Sequence, residues 1–284
     1  MKFYSPLRYP GGKNKLSKFV AKVCEKNDIN GHYIEPYAGG ASVALYLLIN
    51  GYVREVTIND LDYAIYAFWH SILNETDRFC DKIRKTNITV DNWKKFKEIH
   101  DDKNKETLFE LGFATFFLNR TNYSGVINGG IIGGFEQGGN YKIDCRFNKE
   151  KLINRIRLIS KYKNSINLCN LDALELIDKI QSDNEGKNTI FYFDPPYYLK
   201  GPSLYMNHYE HSDHEEVSKK IQKIKNIRWI VSYDDTREIR NLYSKSNNKK
   251  YILSHTAYKV RVGKEILFSS TNLTMPSNTW LSDK

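Results

Sequence analysis

Tyr33-Ile34-Glu35-Pro36-Tyr37-Ala38-Gly39-Gly40-Ala41 is the stretch that decides the fold. Its first four residues make a short buried strand, and the glycines then turn the chain into a helix expected over Ser42 to Asn50. A second strand, Glu55-Val56-Thr57-Ile58, ends at Asp60 and Asp62, about 20 residues past the turn. Strand, turn, helix and strand form one βαβ unit, the building block of open α/β sheets, which bind ligands outside the carboxyl ends of their strands. The turn lacks the GxGxxG spacing that receives a pyrophosphate, which favours a nucleoside without phosphates, its ribose hydroxyls on Asp60. A plain structural turn capped by Asp60 would give the same pattern.

Downstream of this unit the alternation stops. From Tyr63 to Ser160 the apolar spacing is helical, with helices expected at Ala64 to Leu73, Asn92 to His100 and Leu108 to Leu118. Between Asn119 and Asn148 stand Gly125, Gly129, Gly130, Gly133, Gly134, Gly138 and Gly139, a density that excludes regular helix. Interleaved Arg120, Tyr123, Phe135, Tyr141, Lys142 and Arg146 make it a shaped surface loop. After Ser160 strands return at Ile166 to Cys169, Thr189 to Phe193, Trp229 to Tyr233 and Glu265 to Ser269, with helices at Ala173 to Gln181 and Glu215 to Ile224. The expected architecture is α/β: a Rossmann-like, doubly wound sheet built from residues 1–62 and 161–284, interrupted by a mostly helical insertion over 63–160.

Composition narrows the class. With 284 residues, 40% of them hydrophobic, the chain can bury a full core. A net charge of +10 makes an extended polyanion the first partner to test, although solvated helix faces also consume lysines. Cys24, Cys80, Cys145 and Cys169 are scattered without a CxxC pair, so neither a disulfide framework nor a zinc ribbon is expected, and a reducing cytoplasm fits. The longest apolar runs, such as Ala44 to Ile49, fall far short of a membrane span, so a soluble protein is expected.

The sharpest chemistry lies at Phe193-Asp194-Pro195-Pro196-Tyr197-Tyr198, directly after an apolar strand. An aryl amine is a poor nucleophile because its lone pair is delocalised into the ring. Two acceptors gripping its two hydrogens draw the nitrogen toward tetrahedral geometry as a methyl group arrives. Asp194 and the Pro195 carbonyl can serve, since proline fixes the backbone and keeps its carbonyl free, and Tyr197 can stack on the base. Asp194 would act by hydrogen bonding and by stabilising charge on nitrogen more than as a strong base. His208, His211 and His214 flank Ser212-Asp213, a helix N-cap, and are read as part of a segment that orders over the base, with no metal site expected. Tyr233 and Asp234 end a strand at the same rim and are candidates to line the base pocket.

These motifs, taken together and in this order, resemble the Dam-type (D12 class) DNA adenine-N6 methyltransferases over nearly the whole chain. Arg8-Tyr9-Pro10-Gly11-Gly12-Lys13 resembles the family's N-terminal motif, Glu35-Pro36-Tyr37-Ala38-Gly39-Gly40 its cofactor turn, Asn59-Asp60 its ribose-binding acid and Asp194-Pro195-Pro196-Tyr197 its catalytic motif. The resemblance implies S-adenosyl-L-methionine as cofactor, held by Tyr9, Lys13, Glu35, Pro36, Tyr37, Gly39, Asp60 and Asp194. It also implies Asp172 beside the cofactor's adenine, although an N-cap for the helix from Ala173 explains Asp172 as well. Leu118-Asn119-Arg120-Thr121-Asn122-Tyr123-Ser124-Gly125 resembles the segment that enters DNA, with Tyr123 as the wedge. Arg8, Arg120, Asn122, Ser124, Asn128, Arg146 and Lys149 are then the remaining expected DNA contacts, the basic ones on the backbone. Asn128 replaces the arginine, and Ser124 the asparagine, of relatives specific for GATC, so the resemblance does not carry that site over.

The implied partner is double-stranded DNA; a cognate restriction endonuclease is one setting, and a phage enzyme or an orphan methyltransferase fits the sequence equally. Rival readings are cytosine-N4 methylation, whose amine poses the same problem, a DNA-binding module without catalysis, and methylation of RNA or a protein amide.

Overall fold

In the computed structural model, which describes residues 4–8, 13–103, 105–183, 186, 188–199, 209–257 and 259–276, a short 3₁₀ turn at Lys13–Leu16 leads into helix α1 (Ser17–Lys26). Strand β1 (His32–Glu35), helix α2 (Ser42–Ile49) and strand β2 (Glu55–Asn59) follow, and the two strands run parallel with Tyr33 beside Val56 and Glu35 beside Ile58. Helices α3 (Tyr63–Asn74), α4 (Thr76–Lys85), α5 (Val90–Asp101), α6 (Leu108–Thr121) and α7 (Lys149–Ser160) come next. Then β3 (Ile166–Cys169), α8 (Ala173–Asp183), β4 (Thr189–Phe193), α9 (His211–Gln222), β5 (Arg228–Asp234), α10 (Arg237–Leu242), β6 (Asn247–Ala257) and β7 (Lys259–Ser269) complete the order.

The sheet order is β3-β2-β1-β4-β5-β7-β6. Its first five strands are parallel, and the β6–β7 hairpin adds an antiparallel edge through pairing of β7 with β5. The chain winds outward from β1 to β3 in one direction and from β4 to β5 in the other. Winding therefore reverses between the neighbours β1 and β4, which is where the carboxyl ends of a doubly wound sheet open a ligand crevice. Every residue of β4 is buried, as its largely apolar sequence requires of a parallel strand covered on both faces. Phe191, Phe193, Trp229 and Val231 pack with Leu176 and Ile177 of α8 and Val217 and Ile221 of α9. Each such side chain contributes about 1.5–3 kcal/mol on burial.

Two compact units divide the chain: residues 13–61 with 165–284, and residues 1–12 with 62–164. The first holds the sheet. The second is helical and centred on α6, whose side chains are almost all buried, with Phe113, Phe116 and Phe117 in ring contact with Phe79, Phe96 and Phe147. Its limits differ from the sequence expectation in one respect, since the N-terminal residues fall with the helices and not with the sheet. Asn119 of α6 is the reason: its Oδ1 accepts the Arg8 N–H at 2.7 Å and its Nδ2 donates to the Arg8 carbonyl at 2.9 Å. Arg155 adds a bond from Nη1 to the Ser5 carbonyl at 3.0 Å. Among the described residues, no helix is long and apolar enough to cross a membrane.

Candidate active site

The end of β1 is a braced turn. Gly39 has φ +46°, in the left-handed region, and its N–H donates to Asp60 Oδ2 at 2.8 Å. Asn59 ties three loops at the same rim: its Nδ2 donates to the Pro36 carbonyl at 2.9 Å and the Leu171 carbonyl at 3.0 Å, and its Oδ1 accepts from Leu171 N–H at 2.9 Å. Tyr37 meets Tyr209, hydroxyl to hydroxyl, at 3.0 Å. Asp172 caps α8, its Oδ1 accepting from Leu174 N–H at 2.8 Å.

Glu35 closes β1 and is buried. Its Oε1 accepts the Tyr33 hydroxyl at 3.0 Å, while the buried Oε2 has no hydrogen-bond partner among the described residues. Burial pushes its pKa up to about 8; the Tyr33 hydroxyl restrains the rise, the charge of Asp194 adds to it, and the Ala44 amide restrains it further. At neutral pH this carboxyl is held largely protonated, an expensive position for an acid unless a cation arrives to pair with it.

At the neighbouring strand end stands Asp194, its side chain 20% exposed. Both of its hydrogen-bonded contacts fall on Oδ1: the Ser232 hydroxyl donates at 2.6 Å, and the Lys13 ammonium lies at 3.2 Å. Ser232 itself is fixed by the Tyr192 hydroxyl at 2.9 Å. Among the described residues, Asp194 Oδ2 and the Pro195 carbonyl accept no hydrogen bond. Burial lifts the Asp194 pKa above the ordinary aspartate value; Lys13 opposes the rise and Glu265 adds to it.

Lys13 is 4% exposed and lies between two acids, Asp194 and Glu265, with the Glu265 Oε2 at 3.0 Å. Burial alone would lower its pKa, but Asp194 and Glu265 more than reverse this and raise it. Lys13 also donates to the Tyr197 hydroxyl, which in turn donates to Glu265 Oε1 at 2.5 Å. The Lys13 ammonium sits 4.7 Å from the Tyr197 ring centroid. Tyr197 is therefore buried, with one face covered, where an open aromatic platform was expected, and stacking a base on it requires the covering groups to move. Tyr9 lies outside the described residues.

Asp234, at the end of β5, accepts the backbone N–H groups of Tyr198 at 2.9 Å and Leu199 at 3.0 Å, clamping the chain just past the two prolines. His214 pairs through Nδ1 with the Tyr233 hydroxyl at 2.9 Å, and burial lowers its pKa to about 4. His211 Nδ1 lies 3.1 Å from the Tyr198 hydroxyl, and His208 falls outside the described residues. Both described histidines are thus engaged with tyrosines at this rim.

In the helical unit, Tyr123 opens a 3₁₀ turn just after α6, is 42% exposed, and accepts the Gly133 N–H on its hydroxyl at 3.2 Å; Ser124 beside it is in the left-handed region at φ +57°. Asn128 is exposed nearby. Asn122, expected among the DNA contacts, is 0% exposed: Trp93 Nε1 donates to its Oδ1 at 2.6 Å, and its Nδ2 donates to the carbonyls of Val126 at 3.1 Å and Ile127 at 2.7 Å. With every polar atom used inside the loop, it shapes the backbone and has none left for a base edge. Arg8, Arg120, Arg146 and Arg155 gather together, and burial with this like charge lowers the Arg120 pKa to about 9. Arg120 donates to the Arg146 carbonyl, and its Nε is buried without a partner. Lys149 spans to the Arg84 carbonyl at 2.8 Å, at the end of α4.

Sequence reasoning missed Glu265 and Ser232. A signal existed for each: a charge heading the apolar run Ile266-Leu267-Phe268, and a lone hydroxyl inside Trp229-Ile230-Val231-Ser232-Tyr233, both of which need buried partners.

Comparison with known proteins finds methyltransferases. The chain is 29% identical over 205 residues to the type II methyltransferase M.MjaIII of Methanocaldococcus jannaschii, an alignment covering 67% of this chain and 68% of the relative. Among solved structures, a SAM-dependent methyltransferase from Agrobacterium tumefaciens aligns with a TM-score of 0.40 at 8% identity, covering 89% of this chain and 60% of that one. The rRNA methyltransferase aviRa of Streptomyces viridochromogenes aligns with a TM-score of 0.41 at 10% identity, covering 93% and 87%. Residues 9–259 match the family described as D12 class N6 adenine-specific DNA methyltransferase. The chain belongs to that family, whose members are enzymes that methylate adenine in DNA with S-adenosylmethionine as the donor.

Proposed function

We propose that the chain extrudes an adenine from duplex DNA and methylates its N6 directly, with Asp194 Oδ2 and the Pro195 carbonyl taking one amine hydrogen each. The observation that carries this reading is the asymmetry at Asp194. Lys13 and Ser232 both occupy Oδ1, which leaves Oδ2, like the Pro195 carbonyl that follows it in the chain, without a hydrogen bond among the described residues. Two acceptors on one NH2 draw it out of conjugation and stabilise the positive charge that develops on nitrogen. Lys13 and Ser232 oppose the rise that burial imposes on Asp194, which favours the ionised form that accepts.

The residues at the end of β1 fit the cofactor. Glu35 offers a buried carboxyl oxygen without a partner to a cationic group, and Asp60 stands at a glycine turn where a nucleoside's hydroxyls are received. Glu35, Pro36, Tyr37, Gly39 and Asp60 would hold the donor, with Lys13 fixing the rim beside it. When bound, S-adenosylmethionine supplies an electrophilic methyl group on a sulfonium. Arg8, Arg120 and Arg146 offer positive charge to the phosphates, Ser124, Asn128 and Lys149 add further polar contacts to DNA, and Tyr123 props open the stack so that the base can leave it. By analogy with the type II relative, the modified site would be one that a cognate restriction endonuclease cuts, in a cytoplasmic setting.

The test is transfer of tritiated methyl groups from S-adenosylmethionine to unmodified genomic DNA, followed by mass spectrometry of the digested product. N6-methyladenine is expected as the product. Asp194→Ala should lose at least a hundredfold in rate, about 3 kcal/mol of transition-state stabilisation. A variant retaining activity within tenfold would overturn the two-acceptor mechanism.

A further inference from the structure

Resting on that reading of Asp194, we propose that Glu265 is a positioning residue for methyl transfer: it holds Lys13 and Tyr197 in place and thereby sets how strongly Asp194 accepts the amine. Glu265 lies on β7, opposite Asp234 of β5 in the strand register, and is 1% exposed. A buried carboxylate is costly without partners, and here Oε2 takes the Lys13 ammonium at 3.0 Å while Oε1 takes the Tyr197 hydroxyl at 2.5 Å. Both partners belong to the rim around Asp194. Lys13 is thereby shared between two acids, and its distance to Asp194, 3.2 Å, is the longer of the two.

The consequence follows from charge. One ammonium shared by two carboxylates leaves the group with net negative charge, so Asp194 keeps more acceptor strength than it would in an isolated ion pair. Among the described residues, the titratable groups acting on Asp194 are Lys13 beside α1, Glu265 on β7, Glu35 on β1, Tyr192 on β4 and Tyr233 on β5. Of the two acids among them, only Glu265 also holds the lysine. Removing its charge hands Lys13 wholly to Asp194 and withdraws a repelling neighbour, and both changes ease ionisation of Asp194 while weakening it as an acceptor. Glu265 further anchors the hydroxyl of Tyr197, which fixes the first residue after the two prolines.

The experiment compares the whole chain with Glu265→Gln in methyl transfer to unmodified genomic DNA at saturating donor and DNA, from pH 5 to 9. The expected result is a fall in kcat of tenfold or more, a KM for S-adenosylmethionine within threefold of wild type, and an acidic limb of the rate profile moved to lower pH. Glu265→Asp keeps the charge but draws the carboxylate back by one methylene. It should lower kcat while leaving the acidic limb in place, and it serves if the glutamine variant does not fold. A kcat within twofold of wild type in either variant, or a glutamine variant with an unmoved acidic limb, overturns the proposal. Activity lost in Asp194→Ala but kept in Glu265→Gln would leave the two-acceptor reading standing and remove only the role of Glu265.

Discussion

Glu35→Gln should make the sheet unit more tolerant of alkali than wild type, by an amount the burial of this residue sets. The wild-type carboxyl titrates near pH 8 in the fold against an ordinary 4.5, so unfolding at neutral pH releases its proton. A carboxyl whose folded pKa is raised contributes stability that is whole below the unfolded pKa and is lost as pH rises through the folded one. Integrated over that interval, the loss is about 4–5 kcal/mol in full, of which about 3 kcal/mol falls between pH 5.5 and pH 8. Water entering around the ionised group lowers these figures, so they are ceilings. Glutamine keeps the oxygen that accepts from Tyr33 but cannot ionise. Every other titrating group is common to both chains, so the difference between their stabilities isolates position 35. Urea titrations followed by circular dichroism at pH 5.5, 7 and 8 should show wild type losing stability relative to the variant with rising pH. Parallel curves, agreeing within about 0.5 kcal/mol, would mean that Glu35 is already ionised in the fold and that the account of its burial is wrong.

Gly125→Ala should destabilise the helical unit by about 2 kcal/mol or more, because φ is +78° and the added Cβ would stand 2.0 Å from the Arg8 carbonyl oxygen. An unchanged thermal midpoint would show that this loop does not hold the N-terminal segment as described. Tyr123→Ala removes a half-exposed side chain and its bond to the Gly133 N–H, so folding stability should fall by about 1 kcal/mol, too little to unfold the loop. Its methyl transfer to matched duplex DNA should fall at least tenfold and recover in part when the target adenine faces a mismatch, which costs less to unstack. Equal loss on both substrates would remove the wedge role.

Much of the sheet was legible because its strands are short apolar runs with sharp polar borders. Ile166 to Cys169 and Thr189 to Phe193 coincide with β3 and β4 as expected from periodicity alone. Strand β6 was not, since it opens with Asn247-Asn248-Lys249-Lys250 and is recruited by backbone pairing along β7, which no local pattern announces. Helix α4 reads Thr76-Asp77-Arg78-Phe79-Cys80-Asp81-Lys82, where only Phe79, Cys80 and Ile83 are buried, too thin a stripe to stand out. At the site, Asp194 announces itself by following an apolar strand and preceding two prolines. Lys13 does not, because a lysine after a glycine turn reads equally well as solvated until Asp194 and Glu265 are seen on either side of it. Asn122 shows the converse: its residue type suits base reading, yet Trp93, 29 residues earlier, consumes the acceptor.

The bond from Lys13 to Glu265 joins residues 252 apart in sequence. Parallel strands bring their carboxyl ends to the crevice in order of synthesis, but β7 runs the other way and delivers its contribution only when the hairpin has folded back. On a ribosome, the Asp-Pro-Pro-Tyr segment therefore emerges well before the carboxylate that steadies its lysine. Loop closure over such a span is slow, so the ion-pair cluster should be a late event in folding, and nascent chains should carry the motif without its full charge balance.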